Sequence, residues 1–364
     1  MATSTQYNPN AALNATLAKC GASKTVYALV TPETETAKTA LMGSGHGAGM
    51  DADRAEYLSM FRGAWTNKQD ALHEEYFDTW VEWSDPVVDF DRSLFPFYYP
   101  TAGASEALRH LIFDFSQRTK RTMLPPLIHV FRGEYEGYKA MAEAAAVEIM
   151  EWDRADWRLL VERLNYGNMG SSHMVFLSQP SAIDGNIWGD CNEFLKSITM
   201  QCVVMDVTYV GAVPYVAKRF ELWHPCIRNV VFSLSKPFGC YYDRIGGVWC
   251  RQEDAGLFGN KWFKNLTSLA LGTALMKANS VFALPRRYQK VQERAAEDIG
   301  SDLGIVLETS DVYILATAKV DEAINPLTAL HDPAMIAYLR RPAADGPVRV
   351  CLTPLMSIDL GTDK

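Results

Sequence analysis

The sequence predicts an α/β protein, in which a mostly parallel sheet is covered by helices on both faces and is followed by a smaller α+β domain. Two observations support this prediction. Continuous apolar runs alternate with helical patterns from about Tyr99 to Cys250, and such runs are typical of parallel strands that are buried on both faces. After about Ala270 the rhythm changes to one charged helical stretch and two isolated strand-like runs, which favours a second, smaller unit.

The predicted elements begin after a first hundred residues that look irregular. That part contains a glycine-rich stretch, Gly43–Gly49, which lacks the Lys-Ser/Thr of a nucleotide-binding P-loop, and then an aromatic and acidic stretch, Glu56–Tyr99. Strands are predicted at Leu127–Phe131, Met174–Ser178, Cys202–Asp206, Asn229–Ser233, Gly246–Cys250, Val312–Ala316 and Val348–Leu352. Helices are predicted around Leu108–Phe115, over Lys139–Met150, after the Asp190-x-x-Glu193 capping box, and over Arg286–Asp298.

The composition is that of an ordinary globular protein, with 48% hydrophobic and 21% charged residues. Because 364 residues exceed the size at which one core keeps growing, we expect one large domain or two unequal ones. The predicted division is an N-terminal segment (1–75), partly in the small domain, a large domain (76–275) and a small C-terminal domain (276–364). The net charge of -8 disfavours a nucleic-acid partner and an anionic membrane surface.

The seven cysteines are scattered and have no zinc-ligand spacing, so we expect reduced thiols and no metal. The N-terminus lacks the apolar run of a signal peptide, and no apolar run approaches the roughly 20 residues of a membrane span. These features predict a soluble cytoplasmic protein.

Polar residues follow several apolar runs at the point where each run ends. Asp206 ends one run and is followed by Tyr209, while Ser233 ends another and is followed by Lys236 and Arg244. Ligands of open α/β sheets bind outside the carboxyl ends of the strands, so we expect these side chains to lie close together.

A turn of small residues, Thr101–Ser105, directly precedes a predicted helix. The N–H groups and the dipole at the start of a helix favour an anion, although such a turn also serves as an ordinary helix cap. Since Ser233 offers a hydroxyl and Arg244 a bidentate guanidinium, phosphate is the expected occupant.

Lys236 has three interpretations from its local sequence. It can be an exposed lysine in a turn, or an amine that forms an imine with a carbonyl cofactor. Ser233-Leu234-Ser235-Lys236 also matches the Ser-x-x-Lys motif of penicillin-binding acyl transferases, but the companion tripeptides Ser-Asp-Asn and Lys-Thr-Gly do not occur in the chain.

Asp206 and Tyr209 each have a structural and a chemical interpretation. Asp206 either caps the next element or faces a pyridine nitrogen and keeps it protonated, so that the ring accepts electrons from a substrate carbon. Tyr209 either packs in the core or donates to a ring oxygen.

Five segments form an ordered set along the chain: Thr101–Leu108, Glu134–Tyr138, Asp206–Tyr209, Ser233–Lys236 with Arg244, and Pro347–Leu352. In this order they resemble motifs of the fold-type-I enzymes that depend on pyridoxal 5′-phosphate (PLP), in particular the class I/II aminotransferases of the aspartate aminotransferase superfamily. The first segment is similar to T-x-G-x-x-x-A-L, the third to D-x-x-Y and the fourth to S-x-S-K with a downstream arginine. The resemblance implies the PLP-dependent transferase fold, with a mostly parallel seven-stranded sheet in the large, PLP-binding domain.

The resemblance also implies a role for each matching residue. Lys236 is the catalytic residue and holds PLP as a Schiff base. The phosphate is bound by Gly103, Ala104, Ser105, Ser233 and Arg244, and the ring by Tyr135 (stacking), Asp206 (ring nitrogen) and Tyr209 (ring oxygen). Arg349 resembles the arginine that binds the α-carboxylate of the substrate, although an arginine on a surface strand is the structural alternative.

The sequence departs from the family in one loop. The family has Asn-Pro-x-Asn-Pro-x-Gly, whose second Asn donates to the ring oxygen, whereas this chain has Gln179–Gly185 with Ala182 at the second Asn position. The loss of this donor changes the electronics of the ring oxygen unless Asn186 or a water molecule replaces it.

The resemblance implies an enzyme that acts on an amino acid through an external aldimine and removal of the Cα proton. We expect an aminotransferase, with a 2-keto acid as the second substrate, in a homodimer. The alternative is a specialised biosynthetic enzyme of secondary metabolism that catalyses β- or γ-elimination, replacement or carbon–carbon bond formation on an activated amino acid such as S-adenosylmethionine. A PLP-fold regulator is disfavoured, because the chain shows no DNA-binding segment.

Overall fold

The fold is described from a computed structural model for residues 28–42, 71–120, 125–166, 172–261, 266–303, 306–318 and 348–360. The glycine-rich stretch 43–49 and residues 56–70 of the aromatic stretch lie outside these ranges. In chain order the strands are β1 (Val88–Asp89), β2 (Phe97–Ala102), β3 (Leu127–Phe131), β4 (Glu148–Trp152), β5 (His173–Ser178), β6 (Val203–Asp206), β7 (Phe220–Glu221), β8 (Ile227–Ser233), β9 (Ile245–Cys250), β10 (Glu308–Thr309), β11 (Leu315–Ala318) and β12 (Val348–Cys351).

The helices are α1 (Pro32–Met42), α2 (Ala71–Ser84), α3 (Ala104–Lys120), α4 (Gly137–Ala144), α5 (Trp157–Asn165), α6 (Cys191–Ser197), α7 (Leu266–Ala278), α8 (Ala283–Leu303) and α9 (Thr353–Asp359). Among the described residues, no helix is both long enough and apolar enough to cross a membrane.

A seven-stranded sheet in the order β2-β9-β8-β6-β5-β3-β4 forms the centre of the fold. The five strands from β8 to β4 in this order run parallel, and β9 lies antiparallel between β2 and β8. The predicted α/β fold with a mostly parallel seven-stranded sheet is therefore confirmed. The sequence does not predict β2.

Both faces of this sheet are buried, because successive side chains of each strand enter different apolar clusters. In β5, Val175 and Leu177 pack in the cluster that includes Trp80 of α2. Met174 and Phe176 pack in the other cluster, which includes Leu111 of α3. This two-sided burial explains the continuous apolar runs that predict the strands.

Two helix predictions differ from the structure. The predicted helix Lys139–Met150 is wrong beyond Ala144, because Ala146 adopts a φ of 54° and the following residues form β4, which pairs with β3 along its whole length. The irregular character predicted for the first hundred residues is wrong for α1 and α2, and α2 buries Tyr76, Phe77 and Trp80 completely or nearly so. Within residues 71–84, the aromatic side chains thus form the apolar face of a helix.

The helix predicted after the Asp190-x-x-Glu193 box does begin at Cys191, but the Asp190 side chain makes no capping hydrogen bond. The helix is held by its apolar face instead, since Phe194 and Leu195 are fully or almost fully buried.

A separate antiparallel sheet is formed by β10, β11 and β12, with α8 and α9 beside it. The predicted strand Val312–Ala316 is shifted, because the Leu315 N–H donates to the Val312 carbonyl and closes a turn before β11 begins. The side-chain amide of Gln292 in α8 donates to the carbonyls of Ser310, Val312 and Leu315 and fixes this turn. The domain boundaries at residues 75 and 275 stay a prediction.

A pair of buried histidines links three strands of the central sheet. His129 Nε2 lies 2.7 Å from His173 Nδ1, and Trp152 Nε1 donates to His129 Nδ1 at 3.0 Å. Because His129 accepts from Trp152, its Nε2 carries the only ring proton and the imidazole is neutral. Burial, His173 and Arg163 lower the pKa of His129 to about 3.

We expect this histidine to make the protein sensitive to acid. Its pKa in the folded state lies below the unfolded value of about 6.5, so the native state binds fewer protons and its stability is lost as the pH falls. From pH 6.5 to pH 5 the loss is about 1–2 kcal/mol. Urea unfolding at several pH values measures it, and His129→Gln is expected to flatten this part of the profile.

His110→Gln is the control for this experiment. The hydrogen bond to Asp254 raises the pKa of His110, so the contribution of His110 to stability persists in acid. Equal slopes in the wild type and in His129→Gln would contradict the prediction.

Candidate active site

A cavity of about 310 Å³ lies at the carboxyl ends of three neighbouring strands. Ser178, Asp206 and Ser233 are the last residues of β5, β6 and β8, which lie side by side in the sheet, and all three line the cavity. Parallel strands bring their carboxyl ends to one edge, which is the usual ligand edge of such a sheet.

The structure brings nearly all of the predicted site residues to this cavity. Those that line it are Ala104, Ser105, Tyr135, Asp206, Tyr209, Ser233, Lys236, Arg244 and Arg349. Gly103 is not in the lining but lies directly behind it, against the Arg244 guanidinium.

One corner of the cavity has the donors that an anion needs. α3 begins at Ala104, so its first N–H groups lie at the cavity, and Ser105 and Arg244 line the same region. The Arg244 guanidinium is held by a 2.8 Å hydrogen bond from Nη2 to the carbonyl of Ala102. Ser233 Oγ lies 2.8 Å from Ser235 Oγ and donates to the carbonyl of Ile245.

Gly103 is required at this corner for two reasons. Its φ of 74° lies in the left-handed region, which strains any residue with a Cβ. A Cβ on Gly103 would also lie 3.0 Å from Nη2 of Arg244. The turn before α3 therefore brings the backbone closer to the guanidinium than a larger residue permits.

Asp206 provides a buried carboxylate on the floor of the site. It accepts hydrogen bonds from the Thr208 N–H at 3.0 Å, from the Thr208 hydroxyl and from the Tyr138 hydroxyl at 3.1 Å. Burial raises the pKa of Asp206, while these hydrogen bonds and Lys236 oppose the rise. The interpretation of Asp206 as only a helix cap is not sufficient, because its carboxylate faces a cavity that also contains Lys236.

Tyr135 and Tyr209 differ in their surroundings. Tyr135 is 40% exposed, its ring packs edge-on against Tyr138, and its hydroxyl lies 3.4 Å from Ser105 Oγ. Tyr209 is almost completely buried, although it also lines the cavity. Both rings are placed where they can contact a ligand.

Lys236 lies in the loop that follows β8. Burial lowers the pKa of Lys236 to about 8, and Arg349 and Arg244 act in the same direction, against the opposite effects of Cys351 and Asp206. A lysine in such an environment carries a useful fraction of unprotonated amine near neutral pH. The interpretation as an exposed turn lysine is therefore wrong. The acyl-transferase interpretation is also wrong, because Ser233 ends a strand rather than beginning a helix.

Contacts from distant parts of the chain hold the Lys236 loop. Thr34 of α1 donates to the Phe238 carbonyl at 2.7 Å, and the Tyr313 hydroxyl donates to the Pro237 carbonyl at 3.3 Å. The position of the lysine thus depends on the N-terminal helix and on the turn before β11.

Arg349 lies on β12 and is 7% exposed, so the interpretation as a surface-strand arginine is wrong. Its Nη1 donates to the carbonyl of Ala182, and both residues line the cavity. Burial and a cavity-facing position suit an arginine that binds a carboxylate.

Asn186 does not replace the missing Asn at position 182. Its side-chain oxygen accepts the Asp311 N–H at 2.9 Å, and Asn186 is not among the residues that line the cavity. The expectation that Asn186 supplies the missing donor is therefore wrong.

Sequence reasoning missed several residues of the cavity, which are Leu108, Glu136, Ser178, Thr208, Ser235 and Tyr241. Ser178 carries the same signal as Asp206 and Ser233, a polar residue at the end of an apolar run. The rule that identified Asp206 and Ser233 therefore also identifies Ser178 when it is applied to the run that ends there. Leu108, Glu136, Thr208 and Ser235 lie within the segments that carry the resemblance but had no role assigned to them, and Tyr241 has no comparable local signal.

No protein-family model matches the chain, and no curated protein matches its sequence. Solved structures with a similar fold include a PLP-bound C–S lyase from Staphylococcus hominis, which is 12% identical, with 93% of this chain and 89% of that chain covered and a TM-score of 0.63. YbdL from Escherichia coli, described as having a methionine aminotransferase function, is 15% identical over 100% of both chains with a TM-score of 0.64. A probable N-succinyldiaminopimelate aminotransferase from Thermus thermophilus is 15% identical, with coverages of 97% and 96% and a TM-score of 0.61.

The sheet and the polar cavity at its edge define an open α/β protein with a cavity at the carboxyl ends of its strands. More particularly, the chain has the fold of the PLP-dependent aminotransferases and C–S lyases. The resemblance that the sequence motifs predict is thereby confirmed at the level of the fold.

We expect Gly103→Ala to weaken anion binding at the corner by about tenfold, because displacing one charge-assisted hydrogen bond costs about 1.5 kcal/mol or more. The added Cβ pushes Arg244 away from the carbonyl of Ala102. Titration with inorganic phosphate, followed by intrinsic fluorescence, measures the change.

Gly189→Ala is the matched control, since a Cβ there meets nothing within 4 Å. An unchanged phosphate affinity in Gly103→Ala, with the fold intact by circular dichroism, would show that this corner does not bind the anion.

Proposed function

We propose that the protein is a PLP-dependent enzyme that acts on an amino acid, and that it is an aminotransferase. One observation carries this proposal. Lys236, Asp206 and the anion corner formed by Gly103 and Arg244 lie at the same cavity. Aminotransferases among the structures of similar fold support it.

The residues of the cavity fit the chemical groups of PLP one by one. The anion corner suits its phosphate, because it combines the start of α3, the Ser105 and Ser233 hydroxyls and the Arg244 guanidinium. Asp206 suits the ring nitrogen, because a buried carboxylate favours a protonated partner. Lys236 suits the aldehyde, because its amine is partly unprotonated near pH 8.

Bound PLP supplies a carbonyl that condenses with amines and a ring that takes up the electron pair left on the substrate Cα. With PLP bound, Asp206 would keep a proton on the ring nitrogen, and the Tyr209 hydroxyl would donate to the ring oxygen. Tyr135 would stack on the ring. The Lys236 amine Nζ, when not bonded to the cofactor, would accept the proton from Cα.

Arg349 orients the substrate by binding its α-carboxylate. Its guanidinium is already fixed by the Ala182 carbonyl, so little side-chain freedom is lost when the carboxylate binds. A 2-keto acid, the second substrate of transamination, has the same carboxylate and uses the same arginine.

Assembly and location belong to the proposal as well. We infer a homodimer, as the resemblance implies, in the cytoplasm. The six described cysteines are buried thiols, which supports a reducing compartment.

We expect the attachment of PLP to Lys236 to depend on pH. The rate rises with pH and levels off above about pH 8, because only the unprotonated amine attacks the aldehyde. Stopped-flow absorption after mixing apo protein with PLP measures this rate. Arg244→Gln is expected to move the midpoint upward, because it removes a cation that lowers the Lys236 pKa.

The decisive experiment combines absorption with product analysis. We expect the purified protein with PLP to show a visible absorption band that Lys236→Ala abolishes, and a panel of amino acids with 2-oxoglutarate or pyruvate to give stoichiometric conversion to a new keto acid. Lys139→Ala, on the exposed surface of α4, is the control. Loss of a side-chain group without any keto-acid acceptor would contradict transamination, and a band that persists in Lys236→Ala would contradict the role of Lys236.

A further inference from the structure

Glu134 is a buried acid that has no part in the proposed function. It lies in the turn between β3 and α4 and is 5% exposed. Its Oε1 accepts the Ser178 N–H at 3.2 Å, and its Oε2 lies 2.6 Å from Ser178 Oγ. Both oxygens of the carboxyl group therefore face one residue, the last residue of β5.

Ser178 connects Glu134 with the cavity and with the loop that lacks the family Asn. It lines the cavity and is the register partner of Asp206 in the neighbouring strand. Its Oγ also accepts the N–H of Ala182 at 2.6 Å. One polar chain thus runs from Glu134 through Ser178 to Ala182.

The charge of Glu134 decides what Ser178 offers to the cavity. A serine hydroxyl has one proton and two lone pairs, and the Ala182 N–H occupies one lone pair. An ionised Glu134 accepts the hydrogen bond that the serine hydroxyl donates, so that Ser178 offers only a lone pair to the cavity. A neutral Glu134 donates to the second lone pair, and the serine proton is then left for an acceptor in the cavity.

The groups that face Glu134 are Ser178 on β5, Asp206 on β6, Tyr138 on α4, Cys191 on α6 and Arg154 in the short helix after β4. Among them, Asp206 favours the neutral acid, as burial does. Burial raises the pKa of Glu134 and Asp206 raises it further, while Ser178 and Arg154 lower it. Arg154 is itself engaged elsewhere, since it pairs with Asp184 at 3.9 Å and donates to Ser181 Oγ.

Two neighbouring buried carboxyl groups do not both ionise readily. Asp206 accepts hydrogen bonds from Thr208 twice and from Tyr138, and it also faces Lys236. The carboxyl group of Glu134 has hydrogen bonds with Ser178 alone in the described part of the chain. This difference in hydrogen bonding favours the negative charge on Asp206 and the proton on Glu134.

We propose that Glu134 is a neutral carboxylic acid that makes Ser178 a hydrogen-bond donor into the cavity, where the hydroxyl serves an oxygen atom of bound PLP in place of the side chain missing at Ala182. Glu134 is a positioning residue, since it acts through Ser178. The proposal rests on the proposed function for the identity of the acceptor.

Three variants separate the two charge states of Glu134. Glu134→Gln imitates the neutral acid, because its amide oxygen accepts the Ser178 N–H and its amide nitrogen donates to Ser178 Oγ. Glu134→Ala removes both contacts, and Ser178→Ala removes the hydroxyl. Glu143→Gln, the same change on the exposed side of α4, is the matched control.

The first measurement is infrared difference spectroscopy of the apo protein at pH 7. We expect the wild type and Glu143→Gln to show a carboxylic-acid C=O stretch that is absent from Glu134→Gln and present in Ser178→Ala. If Glu134→Gln removes no such band, Glu134 is ionised and the proposal is overturned.

The second measurement is a pH titration of the absorption band of the PLP-loaded protein. A donor to a PLP oxygen favours the deprotonated chromophore, so Ser178→Ala and Glu134→Ala are expected to raise the midpoint by about one pH unit, a tenfold change in the acid equilibrium. Glu134→Gln is expected to keep the wild-type midpoint.

A shift in Glu134→Gln equal to that in Ser178→Ala would overturn the proposal, because a carboxylate would then be the active form. If the wild type forms no Lys236-dependent band with PLP, the proposed function is contradicted. The assignment of a PLP oxygen as the hydrogen-bond acceptor of Ser178 is then contradicted as well. The infrared measurement on the apo protein decides the charge of Glu134 independently of that result.

Discussion

The site depends on one constraint, the burial of a parallel sheet on both faces. Because α2 and α3 cover opposite faces with apolar side chains, polar residues of β5, β6 and β8 have access to a ligand only at the strand ends. Ser178, Asp206 and Ser233 each end a strand, and the register of β5 against β6 places the first two side by side. This packing excludes water from the sheet and lowers the dielectric constant around its edge. The charged side chains at the edge therefore interact more strongly than they would in water.

Basic side chains outnumber acidic ones at this edge of the sheet. Lys236, Arg244 and Arg349 are cationic or potentially so, and Asp206 is the buried carboxylate that faces them. With Glu134 neutral, Lys236, Arg244 and Arg349 outnumber Asp206 and Glu136, the two carboxylates that line the cavity. In an otherwise acidic protein this balance favours an anionic ligand at the cavity. Arg349 and Arg244 also act with burial to lower the pKa of Lys236. The same cations thus favour an anionic ligand and the unprotonated, nucleophilic form of the Lys236 amine.

The sequence predicts the parts of the structure that local patterns determine. The strands follow from apolar runs, and Lys236, Asp206 and Arg244 follow from their positions relative to those runs. The predicted helix over residues 139–150 is wrong because the pairing of β4 with β3 outweighs the helical preference of an alanine-rich stretch. Glu134 and Tyr138 lie in a segment that carries the resemblance, but their contacts have no local signal. A buried glutamate and a tyrosine on a short helix acquire these contacts only when β5 and β6 approach them.

The loop of residues 179–185 links the two sheets at the cavity. The N–H of Ala182 donates to Ser178, and its carbonyl accepts from Arg349. Ser178 lies on the central sheet and Arg349 on the small antiparallel sheet. Because peptide groups make both hydrogen bonds, this link needs no polar side chain at position 182, and the alanine that stands there preserves it.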